Sequence, residues 1–245
     1  MHYLYLLYQV LIALPLLLGI TLFTALVTII AIPWSNAEWL HKVQMFWARC
    51  FCWLMFIPVE VRGLEHIQKG QSYVFVANHQ SSYDIFVIYG WLPVIFKWLM
   101  KQELRKIPVV GTACAAAGHV FIDRKDPQSA VESLRRVEAA LTNGVSTVIF
   151  PEGTRTKDGQ VGRFKRGAFQ VALDLGLPII PISLTGCYEV MNRYAWHVTR
   201  HPIRMTIGEP IFPKGGVEGG SLSNQQSAIS NDFIESVRQA VVEGC

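Results

Sequence analysis

Charged residues are scarce in this chain and are missing altogether from its first part. Asp, Glu, Lys and Arg make up 16% of the 245 residues, against about 25% in soluble domains. None of them occurs between Tyr3 and Asn36. This apolar run exceeds the roughly 20 residues that cross a bilayer, and it lacks the basic start and short apolar region of a cleaved signal peptide, which is the alternative. The sequence therefore predicts a retained membrane helix.

A second apolar stretch covers residues 45–59, is short for a membrane span and contains Arg49. The return arm of a membrane hairpin, an interfacial helix and a buried core helix all fit it. Basic residues begin only after the first run, which predicts that the remaining chain faces the cytoplasm. We therefore expect a membrane-attachment region over residues 1–59, spanning the bilayer or lying in one leaflet, and a second domain over residues 60–245.

Several enzyme signatures are absent as well. The chain has no G-x-S-x-G nucleophile elbow, no H-E-x-x-H zinc motif, no phosphate-binding loop of the Walker type and no G-x-G-x-x-G. Its five cysteines include no C-x-x-C pair, so we expect free thiols in a reducing compartment rather than a metal finger. The net charge of +4 suits an anionic membrane surface or a phosphorylated substrate and is too small to indicate nucleic acid.

After residue 60, short apolar runs alternate with helical patterns. The predicted strands cover residues 72–78, 119–124, 146–153, 177–186 and 203–211, and the predicted helices cover 126–144, 165–176 and 223–244. Two prolines in the run 177–186 favour an edge strand or a bend. This alternation predicts an α/β fold with a mostly parallel central sheet flanked by helices, whose active site lies at the carboxyl ends of the strands.

A histidine and an aspartate follow the first of these strands, at His79 and Asp84. On one continuous helix their side chains would point about 140° apart, so they can pair only if His79 precedes the helix and Asp84 lies in its first turn. Ser81 and Asp84 match a capping box, which offers a purely structural reason for the carboxylate. The two interpretations are compatible, because a carboxylate that binds one ring nitrogen leaves the other free as a base.

A second polar segment, residues 150–169, follows the third predicted strand. Behind Glu152 and Gly153 it offers five cations: Arg155, Lys157, Arg163, Lys165 and Arg166. Arginine matches phosphate oxygens in a bidentate way, and amides beside glycines add donors. A solvated basic loop is the structural alternative.

The order of these motifs resembles that of the glycerolipid acyltransferase family, and within it the lysophosphatidate acyltransferases. Residues 78–84 (NHQSSYD) resemble the N-H-x-x-x-x-D block, 118–124 (GHVFIDR) the second block and 150–156 (FPEGTRT) the third. Residues 177–186 loosely resemble the apolar fourth block, and 101–111 a further K-x-E-L stretch. Thr156 replaces the usual serine of the third block and keeps its hydroxyl.

The resemblance implies that His79 is the general base and that Asp84 orients it. The sn-2 hydroxyl of 1-acyl-sn-glycerol 3-phosphate would attack an acyl thioester, carried by CoA or by acyl carrier protein, and phosphatidate would form. The implied substrate-binding residues are Arg124, Glu152, Gly153, Thr154 and Arg155, and the implied supporting residues are Asn78, Lys101 and Lys165. No metal and no cofactor beyond the thioester is expected. The domain over residues 60–245 would be the acyltransferase domain of a membrane-associated enzyme.

Other functions are compatible with the same residues. In one alternative the reaction is the same, but the acceptor is glycerol 3-phosphate, another lysophospholipid or an amino-acid lipid. His79 would instead activate water in a hydrolase. A non-catalytic lipid-binding membrane protein would keep the fold without the chemistry. In each case the partners are lipids and the bilayer, not nucleic acid.

Overall fold

The computed structural model of the chain describes residues 2–122, 141, 144–213 and 230–245. Its first helix, α1, joins three segments, His2–Tyr8, a π-helical stretch Gln9–Ala13 and Leu14–Ala31. Within the described part of the chain, this is the one helix long and apolar enough to cross a membrane, over Tyr3–Ala31. Many of its large side chains are exposed, which is consistent with association with a membrane.

The remaining elements of the described chain form an α/β domain. Its helices are α2 Ala37–Leu54, α3 Tyr83–Trp91, α4 Val110–Ala116, α5 Gly167–Asp174, α6 Cys187–Met191 and α7 Asn231–Glu243. Its strands are β1 Val59–Arg62, β2 Val74–Ala77, β3 Phe96–Lys101, β4 Val120–Ile122, β5 Ser146–Ile149, β6 Ile179–Thr185 and β7 Ile203–Ile207. Short 3₁₀ turns occupy Leu64–His66 and Gln102–Lys106.

The apolar stretch 45–59 belongs mainly to α2, which packs between α1 and α3. Its Trp47 donates to the Thr21 hydroxyl on α1 at 2.9 Å. On the other side Arg49 donates to the Gly90 carbonyl of α3 at 2.7 Å. The helix therefore joins the apolar α1 to the α/β domain.

The strands form one sheet in the order β1-β7-β6-β2-β5-β3-β4. Strand β2 lies at its centre, and Phe75 pairs with Val148 of β5 and with Ile180 of β6 in parallel register. Every residue of β2 is buried, since helices cover each face and a parallel strand then needs apolar side chains on both. The predicted mostly parallel sheet flanked by helices is confirmed.

One alternative predicted from the prolines of residues 177–186, an edge strand, is wrong. Strand β6 is not at an edge, because it lies between β2 and β7, and β7 runs antiparallel to it. The interior place tolerates Pro181 because its carbonyl accepts from Gly208 at 2.8 Å just beyond the end of β7. The missing N–H of the proline therefore lies on the side of Gly208, and pairing with β2 is kept.

Sequence patterns also missed two strands, β1 and β3. Each is short and carries charged residues, so neither resembles a buried apolar run. The predicted helix over 126–144 lies outside the described residues except for Leu141 and Gly144. The last predicted helix is present as α7, and its predicted first turns, from 223 to 229, lie outside the described residues.

Candidate active site

The two polar segments meet because they leave neighbouring parallel strands at the same edge of the sheet. His79 follows β2, and Glu152 follows β5, which pairs directly with β2. Helix α3 begins at Tyr83, so His79 lies in the loop before the helix and Asp84 in its first turn. This is the break in the helix that pairing of the two side chains requires.

Asp84 holds the loop that carries His79 through a single carboxylate oxygen. Its Oδ2 accepts from the His79 Nδ1 at 2.7 Å, from the Gln80 amide at 2.7 Å and from the Ser81 amide at 2.8 Å. The last bond is the backward arm of the predicted capping box. The carboxylate side chain is 0% exposed, whereas the imidazole is 17% exposed. A carboxylate only accepts, so in the neutral imidazole the proton lies on Nδ1 and the lone pair on Nε2.

Aromatic stacking fixes the plane of the imidazole. The ring of Phe150 lies 4.0 Å from that of His79 at an angle of 14°, and Trp98 stacks behind Phe150 at 5.7 Å. Sequence reasoning missed this contact, although Phe150 stands directly before the Pro-Glu-Gly turn.

Beside the carboxylate, burial and then the charge of Asp84 raise the pKa of the Cys187 thiol well above its usual value, so that thiol stays neutral.

The backbone of His79 is held from two sides by the segment after β5. Its amide donates to Glu152 Oε1 at 2.8 Å, and its carbonyl accepts from the Thr156 amide at 2.8 Å. The second oxygen of Glu152 accepts from the Gly162 amide at 2.9 Å. Burial raises the pKa of Glu152, and the two amide donors oppose that shift only in part. Glu152 therefore joins the loop of His79 to the loop of Gly162 through hydrogen bonds.

Two predicted cations of the same segment reach the site. Arg155 Nη1 donates to the Ser82 hydroxyl at 2.8 Å, immediately before α3. Gly153 has a φ of +74°, and a Cβ there would lie 2.7 Å from Lys165 Nζ. A side chain at this glycine would be strained and would displace the amine. The turn thus presents Arg155 and Lys165 from one loop.

The other predicted residues occupy different places. Asn78 bonds the Leu184 carbonyl at 2.9 Å and amide at 2.8 Å, which fastens the end of β2 to β6. Thr154 and Lys101 are exposed, and among the described contacts no hydrogen bond joins either to the His79 loop. Arg124 lies outside the described residues. In the part of the chain that is described, no group of three His, Cys, Asp or Glu residues is arranged to hold a metal.

Three contacts to the site had no signal in the sequence pattern. Gln80 donates through its side chain to the Gly159 carbonyl at 2.9 Å. The Ser81 hydroxyl donates to the Met191 carbonyl at 2.6 Å, at the end of α6. Arg238 of α7 donates to the carbonyls of Gly162 at 3.0 Å and of Val161 at 3.1 Å. Each joins elements that are far apart along the chain.

The chain is similar to known proteins in family, in sequence and in structure. The model of the family described as Acyltransferase matches residues 58–185. The chain is 36% identical to the chloroplastic 1-acyl-sn-glycerol-3-phosphate acyltransferase BAT2 of Brassica napus over 70% of its own length and 50% of that protein. It is 37% identical to 1-acyl-sn-glycerol-3-phosphate acyltransferase alpha of Homo sapiens, over 78% of this chain and 68% of that one.

A solved structure is similar along nearly the whole chain. The crystal structure of the 1-acyl-sn-glycerophosphate (LPA) acyltransferase PlsC from Thermotoga maritima superposes with a TM-score of 0.72 at 32% identity, covering 98% of this chain and 95% of that one. By contrast, the chain spans only about half the length of the chloroplast relatives. The family match covers more than half of the 245 residues and agrees with the resemblance of the sequence blocks, so this chain belongs to the acyltransferase family.

Proposed function

We propose that the protein transfers an acyl group from a thioester to the sn-2 hydroxyl of 1-acyl-sn-glycerol 3-phosphate and releases phosphatidate. The observation that carries this proposal is the His79–Asp84 pair, joined at 2.7 Å, with a buried carboxylate and a partly exposed ring. The names of the relatives support the reaction and the acceptor.

The chemistry follows from the free lone pair on His79 Nε2. As the acceptor hydroxyl attacks the thioester carbonyl, Nε2 takes its proton, and the Asp84 carboxylate stabilises the imidazolium that forms. The C–S bond then breaks, and the imidazolium returns the proton to the departing thiolate. A thioester already has a good leaving group, so the reaction needs no covalent enzyme intermediate.

The loops around His79 hold the base in position for this step. Glu152 and Thr156 bind its amide and carbonyl, and a base held in this way needs little reorganisation in the transition state. In the proposal, Glu152 and Gly153 shape the phosphate subsite, while Arg155 binds the phosphate oxygens of the acceptor. Arg124 and Thr154 join Arg155 there, and Lys101 and Lys165 support them.

The membrane helix gives the catalytic domain access to its substrates. Acceptor and product are amphiphiles that reside in the bilayer, so an anchored enzyme encounters them in two dimensions. We propose that the domain faces the cytoplasm and takes its acyl group from CoA or from acyl carrier protein. Neither a metal nor a resident cofactor takes part in the proposed steps.

Acyl transfer by the purified chain in lipid nanodiscs tests the proposal. A labelled acyl thioester is offered with lysophosphatidate, with glycerol 3-phosphate, with lysophosphatidylcholine, with monoacylglycerol or without acceptor. We expect labelled phosphatidate with lysophosphatidate and little product with monoacylglycerol, which has the same acyl chain but no phosphate. Equal or faster transfer to another acceptor would contradict the proposed substrate. Free fatty acid as the only product would indicate a hydrolase, and no turnover of any thioester would favour a lipid-binding protein.

A further inference from the structure

The loop between α6 and β7 is fastened to the catalytic end of the sheet. At its start the Met191 carbonyl accepts from the Ser81 hydroxyl at 2.6 Å. Two residues later Arg193 donates to the Arg155 carbonyl at 3.3 Å. The first part of this loop therefore has a fixed position relative to His79.

The same loop is also fastened to the apolar helix α1. The side chain of Gln9 donates to the Val198 carbonyl at 2.7 Å and accepts from the Val198 amide at 3.0 Å. Gln9 is only 6% exposed, and these two bonds satisfy an amide group that lies within a long apolar run. Residues 191–198 thus connect the catalytic site with α1.

Between these two attachments the loop exposes two large aromatic side chains. Tyr194 is 68% exposed and Trp196 is 72% exposed. The side chain of Asn192 accepts from the amides of Tyr194 at 2.9 Å and Ala195 at 3.1 Å, which holds the turn in shape. Tyrosine and tryptophan are enriched where a membrane meets water, since each has an apolar ring and a polar group.

Cations flank the aromatic pair. Arg193 precedes Tyr194, and Arg200 follows Trp196 and is exposed. Basic residues near an anionic membrane surface are attracted to it. A surface with aromatic rings at its centre and guanidinium groups beside them matches lipid headgroups that carry phosphate.

We propose that residues 192–200 form a second membrane contact, which docks at the headgroup level of a bilayer containing anionic lipid. The contact is continuous with α1 through Gln9, and α1 is the helix whose apolar side chains are exposed. Because the loop is also bonded to Ser81 and to Arg155, docking brings the catalytic end of the sheet to the lipid surface. The proposal depends on the membrane association of α1 and not on the acyl-transfer reaction.

Fluorescence quenching by brominated lipid tests this contact without measuring activity. The full chain is placed in nanodiscs of brominated phosphatidylcholine and phosphatidylglycerol, and the quenched fraction of tryptophan emission is compared with that of Trp196→Phe. The chain has seven tryptophans. Removing an emitter that is quenched more strongly than the average of the other six lowers the quenched fraction, and we expect this result for Trp196 at the lipid surface. Removing an emitter that lies in water raises it, and a rise would overturn the proposal.

Phe212 offers a matched control at the other end of the sheet. It is 64% exposed and follows Ile211, which bridges to Ile179 at the start of β6. A new emitter there, in Phe212→Trp, lies away from the docked surface and is expected to lower the quenched fraction. If Phe212→Trp raised the quenched fraction as much as the native Trp196 does, the contact would not be specific to the loop, and the proposal would fail.

A change of lipid tests the role of the cations. Phosphatidylglycerol is omitted from the nanodiscs, and the effect of Trp196→Phe on quenching is measured again. We expect Trp196→Phe to change the quenched fraction less than it does with the anionic lipid. In anionic nanodiscs, Trp196→Phe should likewise change the quenched fraction less when the chain also carries Arg200→Gln. An effect of equal size in every case would overturn the assignment of Arg193 and Arg200 to lipid phosphates.

Discussion

The two segments that leave the neighbouring strands β2 and β5 differ in how tightly they are held. In the first, residues 78–84, the Asp84 carboxylate is fully buried and each backbone group of His79 is bonded. In the second, residues 150–169, the cationic side chains are half-buried or exposed. The difference suits the two tasks that we propose for these segments, since a proton transfer needs fixed geometry and a headgroup site needs hydrated charges that can adjust.

The two segments nevertheless form one unit. Glu152 and Thr156 of the second segment supply the bonds that hold His79 of the first. A variant can therefore affect the proposed base, the proposed phosphate subsite or the bonds of Glu152 between them. These three effects should differ in size and in the kinetic constant that changes.

Asp84→Asn should have the largest effect among the residues around His79. The neutral amide keeps the size of the side chain but removes the negative charge that stabilises the imidazolium. We expect kcat to fall about 10³-fold, which is within the range for loss of general-base function. Steady-state kinetics measures this loss, with Ser82→Ala as a nearby control that removes only the hydroxyl bonded to Arg155. Retention of kcat within tenfold would show that the carboxylate does not support the base.

Arg155→Ala should act on binding instead. Loss of a charge-assisted bond to phosphate is worth about 1.5–3 kcal/mol, so KM for lysophosphatidate should rise by roughly 10- to 100-fold with little change in kcat. Arg163→Ala, a change of the exposed arginine in the same segment, is the matched control and should leave KM nearly unchanged. A fall in kcat at constant KM would instead place Arg155 with the reacting atoms.

Arg238→Ala should have a smaller effect, because Arg238 acts on His79 only indirectly, through Gly162 and Glu152. Its guanidinium holds the carbonyls of Val161 and Gly162, and the Gly162 amide binds Glu152. Couplings of this kind amount to about 0.5–2 kcal/mol, so we expect kcat to fall roughly fivefold while KM stays constant.

Two further variants of α7 distinguish positioning from a general loss of stability. Glu235→Gln removes the ion pair with Arg238 at 2.7 Å but keeps the guanidinium, and it should leave kcat unchanged. Val237→Ala opens the buried side of the helix and should lower Tm without the same fall in kcat. If Val237→Ala reduced kcat as much as Arg238→Ala at equal Tm, Arg238 would have no specific positioning role.

The last and smallest expected effect is that of Glu152→Gln on the way the stability of the fold depends on pH. Burial raises the pKa of this carboxyl above its ordinary value of 4.5, so the folded chain binds that proton more tightly than the unfolded chain. The resulting stabilisation is present at low pH and is lost as the pH rises through the raised pKa. The Tm of the variant should therefore increase relative to wild type over that interval. A difference in Tm that stayed constant with pH would contradict the raised pKa.

Local patterns predicted the features of the site that depend on neighbouring residues. The rotation between His79 and Asp84 excluded a single helix, and the ends of parallel strands brought Glu152 to the same edge. The bonds of Arg238 and Gln9 lie beyond such patterns, because they join positions that are 76 and 189 residues apart. Strand β1 was missed for a similar reason, because its formation depends more on its pairing with β7 than on its own composition.

Acyl transfer by His79→Ala is the most direct test of the assignment of His79 as the base. The variant and the wild-type chain are measured in the same nanodiscs, with the same labelled thioester and with lysophosphatidate as acceptor, at matched folded content. We expect phosphatidate formation to fall by about 10³-fold or more, because the variant loses general-base catalysis by His79. Transfer at a rate within tenfold of wild type would contradict the assignment of His79 as the base.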